Sequence, residues 1–203
     1  MTSNSENLYA QEYFEYLQNR SGFRKLIRTF YLKDIAQYCT GKTIDLGCGV
    51  GELLRYLPEG SAGYEVNKVV VDYCKSSGFK VDLFSPETDD YQFKMLEAGD
   101  YQTFTMNHVL EHLEDSALVI HKIMERCHQL GIVRIVFTVP GIKGYAFDKT
   151  HLTYIDLYYL RDLGVLENKY YQLKTHKYFP INWKFFSKYF THNELRLVFD
   201  IRK

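Results

Sequence analysis

Apolar side chains recur every three to four residues at the start of the chain, the mark of helices with one buried face. Tyr9, Tyr13, Phe14, Tyr16 and Leu17 share such a face between about Leu8 and Asn19. Ser21-Gly22 interrupts the pattern, and Phe23, Leu26, Ile27, Phe30, Tyr31, Ile35 and Tyr38 resume it as far as Gly41, a common residue just past a helix end. The period then changes. Thr43 to Leu46 is a short β-branched and apolar run, followed by glycines at 47, 49 and 51 and a helical pattern over Glu52 to Leu57. Strands are expected at Ala62–Val66, Phe79–Leu83 and Tyr101–Met106. Asn67 can cap a helix over Val69–Ser76, and Asp115-Ser116 one over Ala117–Gln129 with Leu118, Ile120, Ile123, Met124 and Cys127 as its apolar positions. A further helix is expected within the polar stretch 85–99, around Tyr91 to Leu96. Ile132 to Val139 is nearly continuous in apolar residues, as a strand buried on both faces should be. Pro140-Gly141 stops it, Ile155–Leu163 reads as a helix, and Glu167–Phe179 and Glu194–Ile201 read as the last two strands.

The glycine turn between the first strand and its helix carries the strongest chemical signal. Glycines there permit positive φ and let a ligand approach the backbone, while the following helix offers unpaired N–H groups. Dinucleotide loops read G-x-G-x-x-G. This one reads Gly47-x-Gly49-x-Gly51 with an acid, Asp45, two residues before it. That pattern resembles the first motif of the class I S-adenosylmethionine-dependent methyltransferases. Nicotinamide or flavin binding, or a glycine turn without a ligand, are the alternatives. The resemblance implies an α/β, Rossmann-like, doubly wound and mostly parallel seven-stranded sheet, with an antiparallel C-terminal hairpin edge and N-terminal cap helices. It divides the chain into a helical cap over 1–40, with 1–7 disordered, and a methyltransferase domain over 41–203.

The same resemblance assigns site residues. Gly47, Cys48, Gly49 and Gly51 would cradle the methionine end of S-adenosylmethionine, with Asp45 facing its ammonium group directly or through a water. Glu65 lies 20 residues after Asp45, at the end of the second strand, where a carboxylate can accept from two ribose hydroxyls; the competing reading is a surface glutamate in a turn. Asp82, with Leu83, resembles the acid after strand three that meets the adenine. Asn107 to Asp115 (NHVLEHLED) is similar to a signature of methyltransferases related to ubiquinone-biosynthesis O-methyltransferases and to sugar and glycan methyltransferases. It puts Asn107 and His108 near the cofactor. One departure is Tyr101-Gln102, which stands where relatives carry an acid early in strand four.

On the acceptor side, Asp148-x-x-His151 resembles an element found after strand five in this subgroup. His151 is the leading base and substrate contact, and His112 is second, either as a base or as a residue holding the loop. Tyr9 and Tyr13 from the first helix and Tyr145 from the glycine-containing loop 141–154 complete the expected substrate site. His108-x-x-Glu111-His112 also satisfies H-x-x-E-H, an inverted zinc-protease pattern. It abuts a strand end and lacks a strong distal glutamate, so zinc hydrolysis is set aside. No clustered acids mark a magnesium site, and no metal is expected.

Composition narrows the remaining choices. In 203 residues, Lys+Arg and Asp+Glu both number 25, so the overall charge points to no nucleic acid partner. Yet from Lys169 onward eight Lys/Arg face two Asp/Glu, in a stretch that includes the aromatic segment 180–191. That edge suits an anionic substrate, a membrane surface or a partner subunit, homodimerisation included. The plainer expectation is an amphipathic helix burying Trp183 and the neighbouring phenylalanines. No apolar run approaches the roughly 20 residues that span a membrane. The polar N-terminus lacks a signal pattern, and four scattered cysteines fit reduced thiols, so a cytoplasmic location is expected. The chain thus reads as an S-adenosylmethionine-dependent methyltransferase for a small polar metabolite. O-methylation of a sugar or glycan precursor with a histidine base leads. A catalytically silent cofactor-binding protein is the second reading and a nicotinamide oxidoreductase the third.

Overall fold

The computed structural model of the chain describes residues 22–202, with side chains from residue 28 onward. The first expected helix, with Tyr9 and Tyr13, and the expected disorder of residues 1–7 lie outside the described residues.

Seven strands form one sheet in the order β3-β2-β1-β4-β5-β7-β6. The parallel part comprises β1 (Thr43–Leu46), β2 (Ala62–Glu65), β3 (Val81–Leu83), β4 (Thr103–Asn107) and β5 (Arg134–Val139). β6 (Tyr171–Phe179) and β7 (Glu194–Ile201) close one side as antiparallel neighbours, β7 pairing with β5. The chain leaves β1 for β2 on one side and later reaches β4 on the other. Ligands bind outside the carboxyl ends of strands at such a reversal.

The strands are buried because helices cover both faces, and β5 shows this residue by residue. Its Ile135, Phe137 and Val139 join the main core with Ile120, Ile123, Met124 and Cys127 of helix α4 (Ser116–Gln129). Val136 between them points the other way, to Tyr31, Leu32 and Ile35 of helix α1 (Gly22–Ala36). Helix α2 (Lys68–Ser76) buries Val70, Val71 and Cys74 against Cys48 and Val81. Asn67 caps α2 by accepting from Val69 and Val70 N–H, and Asp115 caps α4 by accepting from Leu118 N–H.

Two sequence expectations fail locally. No helix forms at 91–96; instead a single turn, α3 (Pro86–Asp89), precedes it. The Asp89 carboxylate accepts from Phe93 and Lys94 N–H, and Asp90, Tyr91 and Phe93 take positive φ. The positive φ values exclude a helix over 91–96 and turn Tyr91 and Phe93 into the core. The segment after β6 is not an amphipathic helix either. It begins at a cis Phe179-Pro180 bond and holds one 3-10 stretch, Lys184–Lys188. Asn182 accepts from Tyr178 N–H, and Asn193 bonds both Ile181 N–H and the Trp183 carbonyl, spending the side chains on backbone groups instead of a helix. Trp183 and Tyr189 stay about three-fifths exposed, at 59% and 61%.

Candidate active site

Strand register brings the expected cofactor residues to one edge. Leu46 lies opposite Tyr64 and Met106, and Glu65 opposite Leu83, so the ends of β1, β2, β3 and β4 stand side by side. After β1 the chain turns through Gly47, Gly49 and Gly51, with φ of 75°, 51° and 74°. At Gly47 a Cβ would sit 2.4 Å from Val109 Cγ2. The glycine therefore also lets the loop pack under the segment that follows β4. Cys48 and Cys74 stand together beneath it, both directed at the Gly49 carbonyl. The Cys74 thiol and burial push the Cys48 thiol well above its ordinary range.

Asp45 is buried at 3% exposure, and burial pushes its carboxyl up to about 7 despite a 3.3 Å hydrogen bond from Asn107 Nδ2. Asn107 Nδ2 also donates to Thr105 Oγ1, while Asn107 Oδ1 is buried without a partner among the described residues. A carboxylate and an orphaned acceptor side by side want a cationic donor. An ammonium group meets that need, which is the test the expected cofactor has to pass here. Glu65 is held by its own neighbourhood: Oε2 accepts from Gly49 N–H, and Oε1 from Val66 and Asn67 N–H. Burial nevertheless pushes its carboxyl up, against those three hydrogen bonds. About one of the four lone-pair positions is left for a ligand hydroxyl. Val66 and Leu83 expose apolar surface at the ends of their strands, suited to the flank of a flat ring. Asp82 stands 3.2 Å from Lys75 across α2 and is half exposed.

The segment leaving β4 connects this half to a second cluster. His108 turns the chain at a φ of 55°. Its Nδ1 is 3.1 Å from Glu111 Oε1 and its Nε2 3.2 Å from Glu194 Oε2. Burial opposes its charge, but the two carboxylates prevail and push it up to about 10. Both ring nitrogens are thus spent on carboxylates, so its side chain serves the frame of the site. Glu194 reaches the same edge because β7 runs antiparallel: it begins beside the end of β5, where Val139 lies opposite Leu195.

Glu111 is fully buried in the 3-10 turn Leu110–His112, and its carbonyl accepts from Leu152 and Thr153 N–H. Those two bonds dock the loop after α5 (Ile142–Phe147) against β4, and so bring His151 to Glu111, with 3.8 Å between Nε2 and Oε1. His151 Nδ1 lies 3.0 Å from the Tyr145 carbonyl, and its ring stacks on Tyr145 at 5.6 Å. Tyr145 donates its hydroxyl to the Leu152 carbonyl. Asp148 receives the Thr150 N–H and hydroxyl, 4.0 Å from His151 Nε2. His112 lies 4.8 Å from His151 by ring centroid, its Nδ1 3.3 Å from the Thr150 carbonyl. Glu111, His112 and His151 form the metal-competent grouping found among the described residues. The sequence singled out His151 and His112, and the structure brings their rings to 4.8 Å. Glu111 lay inside the Asn107–Asp115 signature and the discounted H-x-x-E-H pattern without being given a role, and Glu194 carried no local signal.

A family model described as a methyltransferase domain matches residues 11–178. Among curated proteins no sequence matches the chain. Solved structures with the same fold include a S-adenosylmethionine-dependent methyltransferase from Archaeoglobus fulgidus, with 16% identity, TM-score 0.64, and 87% of this chain and 94% of that one covered. Magnesium protoporphyrin IX methyltransferase from Synechocystis PCC 6803, solved with S-adenosylhomocysteine, aligns at 13% identity and TM-score 0.59, covering 91% and 89%. Geranyl diphosphate C-methyltransferase from Streptomyces coelicolor A3(2), solved with Mg²⁺, geranyl diphosphate and S-adenosylhomocysteine, aligns at 10% identity and TM-score 0.62, covering 90% and 85%.

Proposed function

We propose that this chain, which belongs to the methyltransferase-domain family, methylates a hydroxyl of a small polar metabolite, a sugar or glycan precursor. Its cofactor is S-adenosylmethionine, which supplies an electrophilic methyl group on a sulfonium and is left as a neutral thioether. Asp45 and Asn107 would hold the ammonium end, the Gly47–Gly51 backbone the methionine, and Glu65 a ribose hydroxyl. Asp82, Leu83 and Val66 would border the adenine.

The observation that carries the hydroxyl reading is the set of His151 contacts. Its Nδ1 faces a carbonyl, which only accepts, so Nδ1 carries the proton and Nε2 the lone pair. Nε2 lies 3.8 Å from the buried Glu111 Oε1 and is the atom that would take the proton a hydroxyl gives up. The acceptor oxygen then forms its bond to the methyl carbon. His112 holds the same loop through Thr150. In-line displacement asks mainly for alignment, and the docked 148–153 loop supplies a fixed wall for it. The likeness of Asn107–Asp115 to the ubiquinone-biosynthesis and sugar methyltransferase signature supports an oxygen acceptor.

The test is methyl transfer from labelled S-adenosylmethionine to a panel of sugars, nucleotide-linked sugars and phenols. His151→Gln should lower kcat by about 10²- to 10⁴-fold, the usual contribution of a proton-transfer residue, with cofactor affinity unchanged. Cofactor binding without transfer to any acceptor would favour the catalytically silent alternative and sink the enzymatic reading.

A further inference from the structure

We infer that Glu111, His112 and His151 form a binding site for one divalent transition-metal ion of the zinc class. The inference deepens the reading above: it keeps the acceptor at this cluster and replaces His151 as a free base by His151 as a ligand. One atom from each residue lies within 4.8 Å of the others. The tautomers are set by their partners. His151 Nδ1 faces the Tyr145 carbonyl at 3.0 Å, and His112 Nδ1 faces the Thr150 carbonyl at 3.3 Å. Thr150 Oγ1, 3.1 Å from the same His112 nitrogen, donates its hydroxyl hydrogen bond to Asp148 Oδ1 and is left to accept there. Both Nδ1 atoms therefore donate, and both Nε2 atoms carry lone pairs. Backbone carbonyls that fix the far nitrogen are the usual support of a histidine ligand.

The carboxylate makes the third donor. His108 holds Glu111 Oε1 at 3.1 Å, and Oε2 is buried without a partner among the described residues. A buried carboxylate oxygen facing no donor needs an explanation, and a cation supplies one. A lone base would need only one of these lone pairs; the structure converges three donors.

Two imidazoles and one carboxylate select zinc, cobalt, iron or manganese over magnesium and calcium, which prefer all-oxygen sets. Three protein ligands leave positions for an oxygen of the acceptor. A hydroxyl held there loses its proton to solvent more readily than a free one. The sequence pattern H-x-x-E-H does not describe the set. His108 is tied between Glu111 and Glu194, and the distal ligand is His151, delivered by the loop after β5.

The test uses the untagged full-length chain, stripped with a chelator and titrated separately with Zn²⁺, Co²⁺, Mn²⁺ and Mg²⁺. Calorimetry should find one Zn²⁺ site per chain, Co²⁺ should give ligand-field absorption from nitrogen and oxygen donors, and Mg²⁺ should bind far more weakly. His112→Gln and His151→Gln should each weaken Zn²⁺ by more than about 10- to 100-fold, the loss expected from removing only a supporting partner of a ligand. Circular dichroism of the metal-free variants should match the parent, which keeps the result independent of folding. Absence of a site for all three transition ions, or unchanged affinity in both variants, overturns the inference. S-adenosylmethionine affinity of the metal-free protein is measured alongside. Cofactor binding with no metal site sinks this inference alone; a metal site with no cofactor binding sinks the methyl-transfer reading alone.

Discussion

Cofactor affinity should depend on pH through Asp45. Burial raises this carboxyl to about 7, the Asn107 amide pulls it down, Glu65 pushes it up and Arg28 pulls it down. Without cofactor, about half of the molecules at pH 7 should then carry a neutral Asp45. An ammonium group beside it stabilises only the carboxylate. Binding must then release a proton wherever Asp45 starts protonated, and the observed dissociation constant should grow about tenfold between pH 8 and pH 6. Calorimetry at pH 6 in buffers of different ionisation enthalpy should count about 0.9 protons released per cofactor, against about 0.1 at pH 8. Stability of the cofactor-free protein carries the matching sign. A carboxyl raised in the fold stabilises it fully below the unfolded value near 3.9, and that contribution is lost as pH rises through about 7. The gap between about 7 and the ordinary 3.8 corresponds to on the order of 4 kcal/mol at high pH. Asp45→Asn, free of that charge, should be more stable than the parent at pH 8 without cofactor, lose the pH slope of binding, and bind more weakly at pH 8. An affinity flat from pH 6 to 8 with no proton exchange would refute the placement of Asp45 at the ammonium.

Three further outcomes test the fold around the site. Gly51→Ala forces φ of 74° on a side chain whose Cβ meets Phe79 Cδ2 at 2.9 Å, and should cost about 1–3 kcal/mol and several degrees of Tm; an unchanged Tm would contradict the loop geometry. Phe104→Ala empties a fully buried position packed on Phe93 at 5.4 Å and should cost about 3–5 kcal/mol in urea unfolding. A loss under 1 kcal/mol, taken as about the lowest cost of a core truncation, would place Phe104 outside the core. The exposed Ile181, Trp183 and Phe185 on the basic edge should drive concentration-dependent dimerisation, abolished in Trp183→Ser/Phe185→Ser; sedimentation as a monomer at every concentration would remove the homodimer.

The gathering of the candidate cofactor residues at one sheet edge was legible because it is written locally. Each βα turn from 43 to 108 keeps its strand and its candidate residue within about ten residues, and parallel pairing aligns their ends without further information. The failures lie where side-chain hydrogen bonds hold an irregular backbone. Asp89 accepts from the Phe93 and Lys94 amides around a turn with positive φ at Asp90, Tyr91 and Phe93, and Asn182 and Asn193 fix the non-helical backbone after β6. Apolar periodicity registers Tyr91 and Phe93 as buried and misassigns the backbone that buries them. The acceptor half depends on long-range arrivals. His151 comes to Glu111 through two bonds to a main-chain carbonyl, which no side-chain pattern encodes, and Glu194 through the reversal of β7.

The two halves meet in six residues. Asn107 ends β4 facing Asp45, and four positions later Glu111 faces His151. Between them His108 turns the backbone through positive φ, a conformation costly for any residue but glycine and kept only when the surroundings over-determine it. They do so here: its N–H donates to the Thr138 carbonyl, and its ring is held by Glu111 and Glu194. Without that turn the chain would continue along β4, and Asn107 and Glu111, both at odd positions, would project from the same face of an extended strand. With it, one carboxamide looks back into the cofactor cradle and one carboxylate looks out to the acceptor loop. Each leaves a buried oxygen without a donor among the described residues, Asn107 Oδ1 on one side and Glu111 Oε2 on the other. Two separate points thus favour positive charge, and the first is where we place the cofactor ammonium. The second is where we propose the metal ion, with Glu111, His112 and His151 as its ligands.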